Sequence, residues 1–235
     1  MKPAQNSELI SSEPRVLSVV DTLSPLIEAT IARLNRKRFL PDPIAGEHFS
    51  RIVSIVSSAY KRHGHILERA ILEQLKTCPD LQVWNDPTFQ IPANADLIAN
   101  GSLADPSTIY GNEASYGPGI RTVQVDALVH DRRHNTLRAY EIKRGFGSHD
   151  SGKRRQILRD LLCIQVLLKS YGKLRKIDVE RTGAHVIFYY GVRSIPEPFG
   201  LVGRELDDHF SYPVSHVVEE VNQQFKTRLH AILLS

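Results

Sequence analysis

"TVQVDALVHDRRHNTLRAYEIK", residues 122–143, decides how this chain folds. Val123, Val125, Ala127 and Val129 fall on one face of its first part, with Gln124 and Asp126 on the other. That period of two belongs to a half-buried strand. "DRRHN" at 131–135 is polar and reads as a turn. "TLRAYEIK" at 136–143 is the return strand. Alternation puts Leu137, Ala139, Glu141 and Lys143 on one face and Arg138, Tyr140 and Ile142 on the other. The two runs predict an antiparallel hairpin that carries Asp126 beside Glu141. Two neighbouring carboxylates repel, and the arrangement is costly unless a cation sits between them.

Working outward, residues 151–171 repeat Ile157, Leu161, Ile164 and Leu168 at helical spacing, and Gly172 is a stop signal. "AHVIFYYG" at 184–191 reads as a buried strand and residues 214–234 as a closing amphipathic helix. Upstream, residues 16–39 are helical, with Pro25 allowing a division into two short helices. "LPDPIAG" at 40–46 is a break. Residues 47–77 form a second helical tract, ended by Pro79. Residues 81–91 are extended chain interrupted at Pro87, and residues 92–120 read as a long Gly- and Pro-bearing loop. Residues 1–14 are polar and expected to be loosely ordered. The expected architecture is α/β. A mixed four-stranded central sheet flanked by helices spans 47–235, behind an N-terminal helical extension over 1–46.

Composition narrows the partners. The 235 residues carry a formal net charge of +4 at pH 7, which permits a nucleic-acid partner without demanding one. The two cysteines, Cys78 and Cys163, stand in no CxxC or Cys/His cluster, so a structural zinc site is not expected. His63, His65, His130, His134 and His149 share no ligand spacing and read as packing or surface residues. No basic leader and no stretch of 18 apolar residues is found, and the expectation is a cytoplasmic, reduced protein with no membrane partner.

The chemistry centres on three side chains. Asp126 and Glu141 are hard oxygen donors of the kind Mg²⁺ takes while keeping several waters, and the Ile142 carbonyl is a further candidate ligand. Lys143 is suited to orient a water or to stabilise charge on a phosphate. The pattern Asp126…Glu141-x-Lys143 resembles the PD-(D/E)XK nuclease superfamily, which includes restriction endonucleases and repair nucleases. The family fold is a helix, a three-strand meander, a crossover helix and a fourth strand, which matches the order from 47 to about 191. The residue before Asp126 is Val125, where the family's motif has proline.

The resemblance implies Mg²⁺ as cofactor, with Mn²⁺ able to substitute, and double-stranded DNA as substrate. It also implies a supporting glutamate on the helix before the first strand. Glu73 is flanked by Arg69 and Lys76 and reads as a solvated ion-pair residue, so Glu68, nearer the buried stripe, is chosen. Lys153, Arg154, Arg155 and Arg159 open the crossover helix near Lys143 and Arg144, where together they would hold DNA phosphates or form a solvated face. Gln156 is in the position where some such nucleases use a glutamine. The leading expectation is a metal-dependent endodeoxyribonuclease of the type II restriction kind. Its rivals are a structure-specific repair or recombination nuclease and a non-catalytic DNA-binding module. The helical extension and the 92–120 loop are additions that can supply base contacts or a homodimer interface.

Overall fold

A computed structural model describes residues 17–36, 39–145 and 150–234. Residues 1–14 and His149 therefore lie outside the described residues. The elements run α1 Val19–Arg36, α2 Gly46–Lys76, β1 Leu81–Ile91, α3 Ala93–Gly101, β2 Arg121–Asp131 and β3 Thr136–Lys143. They continue with α4 Ser151–Leu174, β4 Arg181–Phe188, β5 Gly200–Val202, α5 Leu206–Phe210 and α6 Ser215–Leu233. The α/β class and the flanking helices stand as expected. The sheet has five strands among the described residues, in the order β1-β2-β3-β4-β5, not four. The added strand, β5, is the three-residue run Gly200–Val202, too short to show a period of two. It pairs parallel to β4.

β1, β2 and β3 form an antiparallel meander, and α4 crosses over so that β4 lies parallel to β3. The turn between β2 and β3 puts Asn135 at φ 46°, a left-handed position that Asn tolerates. β1 is an edge strand, which explains how it absorbs Pro87. The register with β2 slips between Asp86 and Phe89, so the proline falls in a bulge where no ladder N–H is required.

Two apolar layers sandwich the sheet. On one face, α1, α2 and α6 pack against Ala127, Val129, Tyr140 and Ile142. On the other, α3 and α4 cover Val125, Leu128, Leu137 and Ala139. Full burial of a side chain such as Leu67 or Ile71 contributes about 1.5–3 kcal/mol. α2 is held to this face by Ile55, Ala59, His63, Ile66, Ala70 and Leu75, spaced at three to five residues. α1 runs unbroken through Pro25, because Leu23, Ile27, Ile31 and Leu34 all enter the same layer and hold the helix across the proline. Residues 92–120 are not a bare loop. They contain α3 and a short 3₁₀ turn at Pro106–Ile109, and Ala95, Ala99 and Ile109 are fully buried under α4. Among the described residues no helix is long and apolar enough to cross a membrane.

Candidate active site

β2 does not alternate as its sequence suggests. The expectation that Val123, Val125, Ala127 and Val129 share one face is corrected by a β-bulge. Trp84 pairs with Leu128 but Asp86 pairs with Val125, so β2 holds one residue more than β1 across that interval. Val125 consequently packs on the α4 side and Ala127 on the α2 side. Asp126 lies in the bulge itself. Bulges re-aim a side chain and interrupt pairing, and both happen here. The β2–β3 ladder ends at Ala127 with Tyr140, one step short of Asp126 with Glu141.

Asp126 fills the opening with its own side chain. The Ile142 N–H donates to Asp126 Oδ2 at 2.8 Å, and the Gln124 side-chain amide donates to Oδ1 at 2.9 Å. The carboxylate is 7% exposed yet both oxygens are satisfied. That answers the cost of a buried charge. It also fixes Asp126 against the Glu141–Ile142–Lys143 segment. Glu141 and Lys143 form an ion pair with each other and are both partly exposed. β3 leaves the sheet at Arg144 and Gly145. Gly145 has φ +69°, and a Cβ there would come within 2.7 Å of the Phe188 backbone, so the glycine is required for the turn.

Glu68 joins this group from α2. Burial raises its pKa, the charge of Asp126 raises it further, and His65 and Lys143 oppose the shift. Glu73 instead pairs with Arg69 at 3.7 Å and Lys76 at 3.0 Å, the solvated role its spacing suggests. Asp126, Ile142, Lys143 and Glu68 are thus brought together, and Glu141 joins them through Lys143. Glu141 also lines a cleft of about 330 Å³ with Gln124, Gln156, Arg121 and Asp160.

Among the described residues no three His, Cys, Asp or Glu side chains cluster as a ready metal cage. The donor set has a different character: two carboxylates with spare lone pairs and the Ile142 carbonyl. Mg²⁺ is commonly held by one or two carboxylates, waters and substrate phosphate, and Asp126, Glu141 and the Ile142 carbonyl are oxygen donors of that type. The negative charge that raises Glu68 is the kind a cation would relieve.

The basic residues divide among different surfaces. Lys153, Arg154 and Arg155 are exposed in the first turns of α4, whose N-cap Asp150 accepts from the Lys153 N–H at 2.9 Å. Arg154 and Arg155 line a recess of about 430 Å³ with Asn100, Leu103 and Ser194. Gln156 donates to Asp160 at 3.0 Å. Arg159 is committed elsewhere: its guanidinium forks onto Asp96, which also accepts from Arg121 at 3.1 Å, and Arg121 reaches Asp160 at 2.7 Å. Burial alone would raise the Asp96 pKa, but the bonds from Arg159 and Arg121 outweigh it and hold it low. Arg144 packs with its guanidinium 4.3 Å from the Tyr60 ring centre and 5.2 Å from that of Tyr190, on the α2–α6 side.

Sequence reasoning missed two sets of residues. Gln124 was legible as a polar strand residue two before Asp126. The Asp96–Arg121–Arg159 network was not, because its members lie 25 and 63 positions apart. No protein-family model, curated protein or solved structure matches this chain.

Proposed function

We propose that this chain is a Mg²⁺-dependent endodeoxyribonuclease of the type II restriction kind, resembling the PD-(D/E)XK superfamily. One observation carries the reading. The β2 bulge opens the ladder so that Asp126 is held on the Ile142 amide, between Glu141 and Lys143, while Glu68 lies within the field of Asp126. Here a buried carboxylate is held by hydrogen bonds where strand pairing stops, and its charge reaches Glu68.

Asp126, Glu141 and the Ile142 carbonyl would hold the ion, which supplies Lewis-acid neutralisation of phosphate charge when bound. Gln124 and the Ile142 N–H fix the Asp126 carboxylate and so limit the reorganisation needed when substrate arrives. Lys143 exchanges its partner Glu141 for the scissile phosphate, where its charge stabilises the negative charge that builds as water attacks. Glu68, whose carboxyl pKa is raised by burial and then by the charge of Asp126, would accept or return a proton at the attacking water. Lys153, Arg154 and Arg155 are exposed in the first turns of α4 and would supply charge for the DNA backbone.

The test is a digest of supercoiled plasmid by purified protein with Mg²⁺ and with EDTA. Discrete linear fragments in Mg²⁺ alone are expected. Smears, or cutting confined to branched substrates, would shift the reading to a repair nuclease. No cutting of any DNA with Mg²⁺ or Mn²⁺ would contradict it.

A further inference from the structure

A second recess opens at the same end of the sheet, between α2 and α6. It encloses about 470 Å³, within the range of roughly 300–1,000 Å³ typical of small-molecule sites. Tyr60 and Tyr190 supply aromatic wall, Arg144 and Lys226 positive charge, and Asn222 and Gln223 amides. Val56, Phe225 and Leu229 add apolar surface, and Glu219 is the acid of the lining, so the walls combine flat, apolar and polar parts.

His63 lies at the floor, 6% exposed. Its hydrogen bonding is set by a chain of partners. Tyr189 O–H donates to Glu219 Oε1 at 2.6 Å, and Asn222 Nδ2 donates to the same oxygen at 3.2 Å. Asn222 Oδ1 therefore faces His63 Nε2, 3.0 Å away, as an acceptor, so the imidazole proton sits on Nε2. Burial, then the charge of Arg144, holds the His63 pKa below its ordinary value and keeps the ring neutral. Nδ1 is left as an acceptor with no hydrogen-bond partner among the described residues. An unsatisfied buried acceptor costs free energy that a ligand N–H would recover.

The position is as informative as the chemistry. Arg144 follows Lys143 directly, and the backbone N–H of Tyr190 donates to the Arg144 carbonyl at 2.9 Å. Along α2, Tyr60 and His63 precede Glu68 by eight and five residues. At 1.5 Å per residue that is about 7–12 Å. Successive nucleotides of one strand are about 3.4 Å apart, so the recess lies about two to four nucleotides from the candidate catalytic group. A flat ligand with mixed donors and acceptors, attached to a polyanion, satisfies these walls. A nucleobase has those properties, and aromatic rings and guanidinium planes are its usual stacking partners.

We propose that the α2–α6 recess takes one unstacked nucleobase of the bound DNA, stacked on the Tyr60, Arg144 and Tyr190 surface. This rests on the nuclease reading and adds a place where the strand is read. The probe is a set of short single-stranded oligonucleotides of mixed sequence carrying 5-iodo-2′-deoxyuridine, bound in EDTA, irradiated and mapped by mass spectrometry. Cross-links at Tyr60 or Tyr190 are expected. Tyr60 is about half exposed, so Tyr60→Ala leaves the fold intact and weakens strand binding about tenfold, the scale of one lost base stack. Tyr60→Phe keeps the ring and restores the affinity. A strand that cross-links only elsewhere, or binds Tyr60→Ala as tightly as the wild type, overturns the recess proposal while leaving cleavage in place. A chain that neither binds nor cuts DNA overturns the nuclease reading and this proposal with it.

Discussion

The Ile142 backbone N–H donates to Asp126 Oδ2 at 2.8 Å, where the two strands that carry them have stopped pairing. A side chain completes the hydrogen bonding that the ladder leaves off. Asp126→Asn keeps an acceptor for that amide, so the variant is expected to fold and melt within a few degrees of the wild type. Metal-dependent cleavage is expected to vanish. Thermal melting beside a plasmid digest checks both, and a variant that cuts at the wild-type rate removes Asp126 from the site.

Gln124 holds the other oxygen of that carboxylate. Gln124→Ala removes a hydrogen bond to a charged group, expected to destabilise the fold by about 1–3 kcal/mol. Urea unfolding measures it. An unchanged midpoint would mean that water replaces the amide without cost.

The coupling between Glu68 and Asp126 has a direction that can be read. Burial raises the Glu68 pKa, and the Asp126 charge adds to it. Asp126→Asn removes the second cause, so the Glu68 carboxyl should titrate at lower pH in the variant, as followed by carboxyl NMR. The folded-state pKa is above the unfolded one. Glu68 therefore adds stability below the unfolded pKa and loses it as pH rises through the folded value. A Glu68 titration that does not move would separate the two carboxylates.

His185 and His209 set an acid limit on the fold. Burial is the main cause in both, lowering His185 to about 4 and His209 to about 3. His185 Nδ1–H donates to the Pro198 carbonyl at 2.9 Å, and His209 Nε2 shares a 2.8 Å hydrogen bond with the Tyr140 hydroxyl. Folded-state values below the ordinary 6.5 mean that stability is full above that pH and falls as pH drops towards 4. The melting temperature should decline over that window, and His209→Gln should flatten the decline. An equally steep decline in the variant would assign the acid sensitivity to other groups.

Much of this was legible in the sequence. The hairpin, the crossover helix and the buried strand after it followed from period and turn chemistry alone. So did the ion-pair role of Glu73, because Arg69 and Lys76 bracket it at helical spacing. The bulge at Asp126 was not legible. It arises from the register of β2 against β1, and the alternation of Val123, Val125, Ala127 and Val129 conceals it. Arg159 reads as one more cation beside Arg154 and Arg155, yet its partner Asp96 lies in a segment that looked like loop. Tyr60, His63 and Asn222 are ordinary helix residues until α2 and α6 are packed together.

Arg154 and Arg155 should therefore behave differently from Arg159. Replacing the first two by alanine is expected to weaken DNA binding and lower the salt slope by up to about 2, with little change in melting. Arg159→Ala leaves Asp96 with Arg121 alone and should lower the melting temperature. Equal effects of all three on the salt slope would place Arg159 on DNA.

Lys143 tests the central claim most directly, by single-turnover cleavage measured beside equilibrium DNA binding for Lys143→Ala. The account predicts a loss of cleavage rate of about 10²-fold or more, the scale of one preorganised electrostatic group, with binding changed far less because other cations share it. A variant that cuts as fast as the wild type would contradict it, and would leave Glu141 and Lys143 as a surface ion pair at the end of a strand.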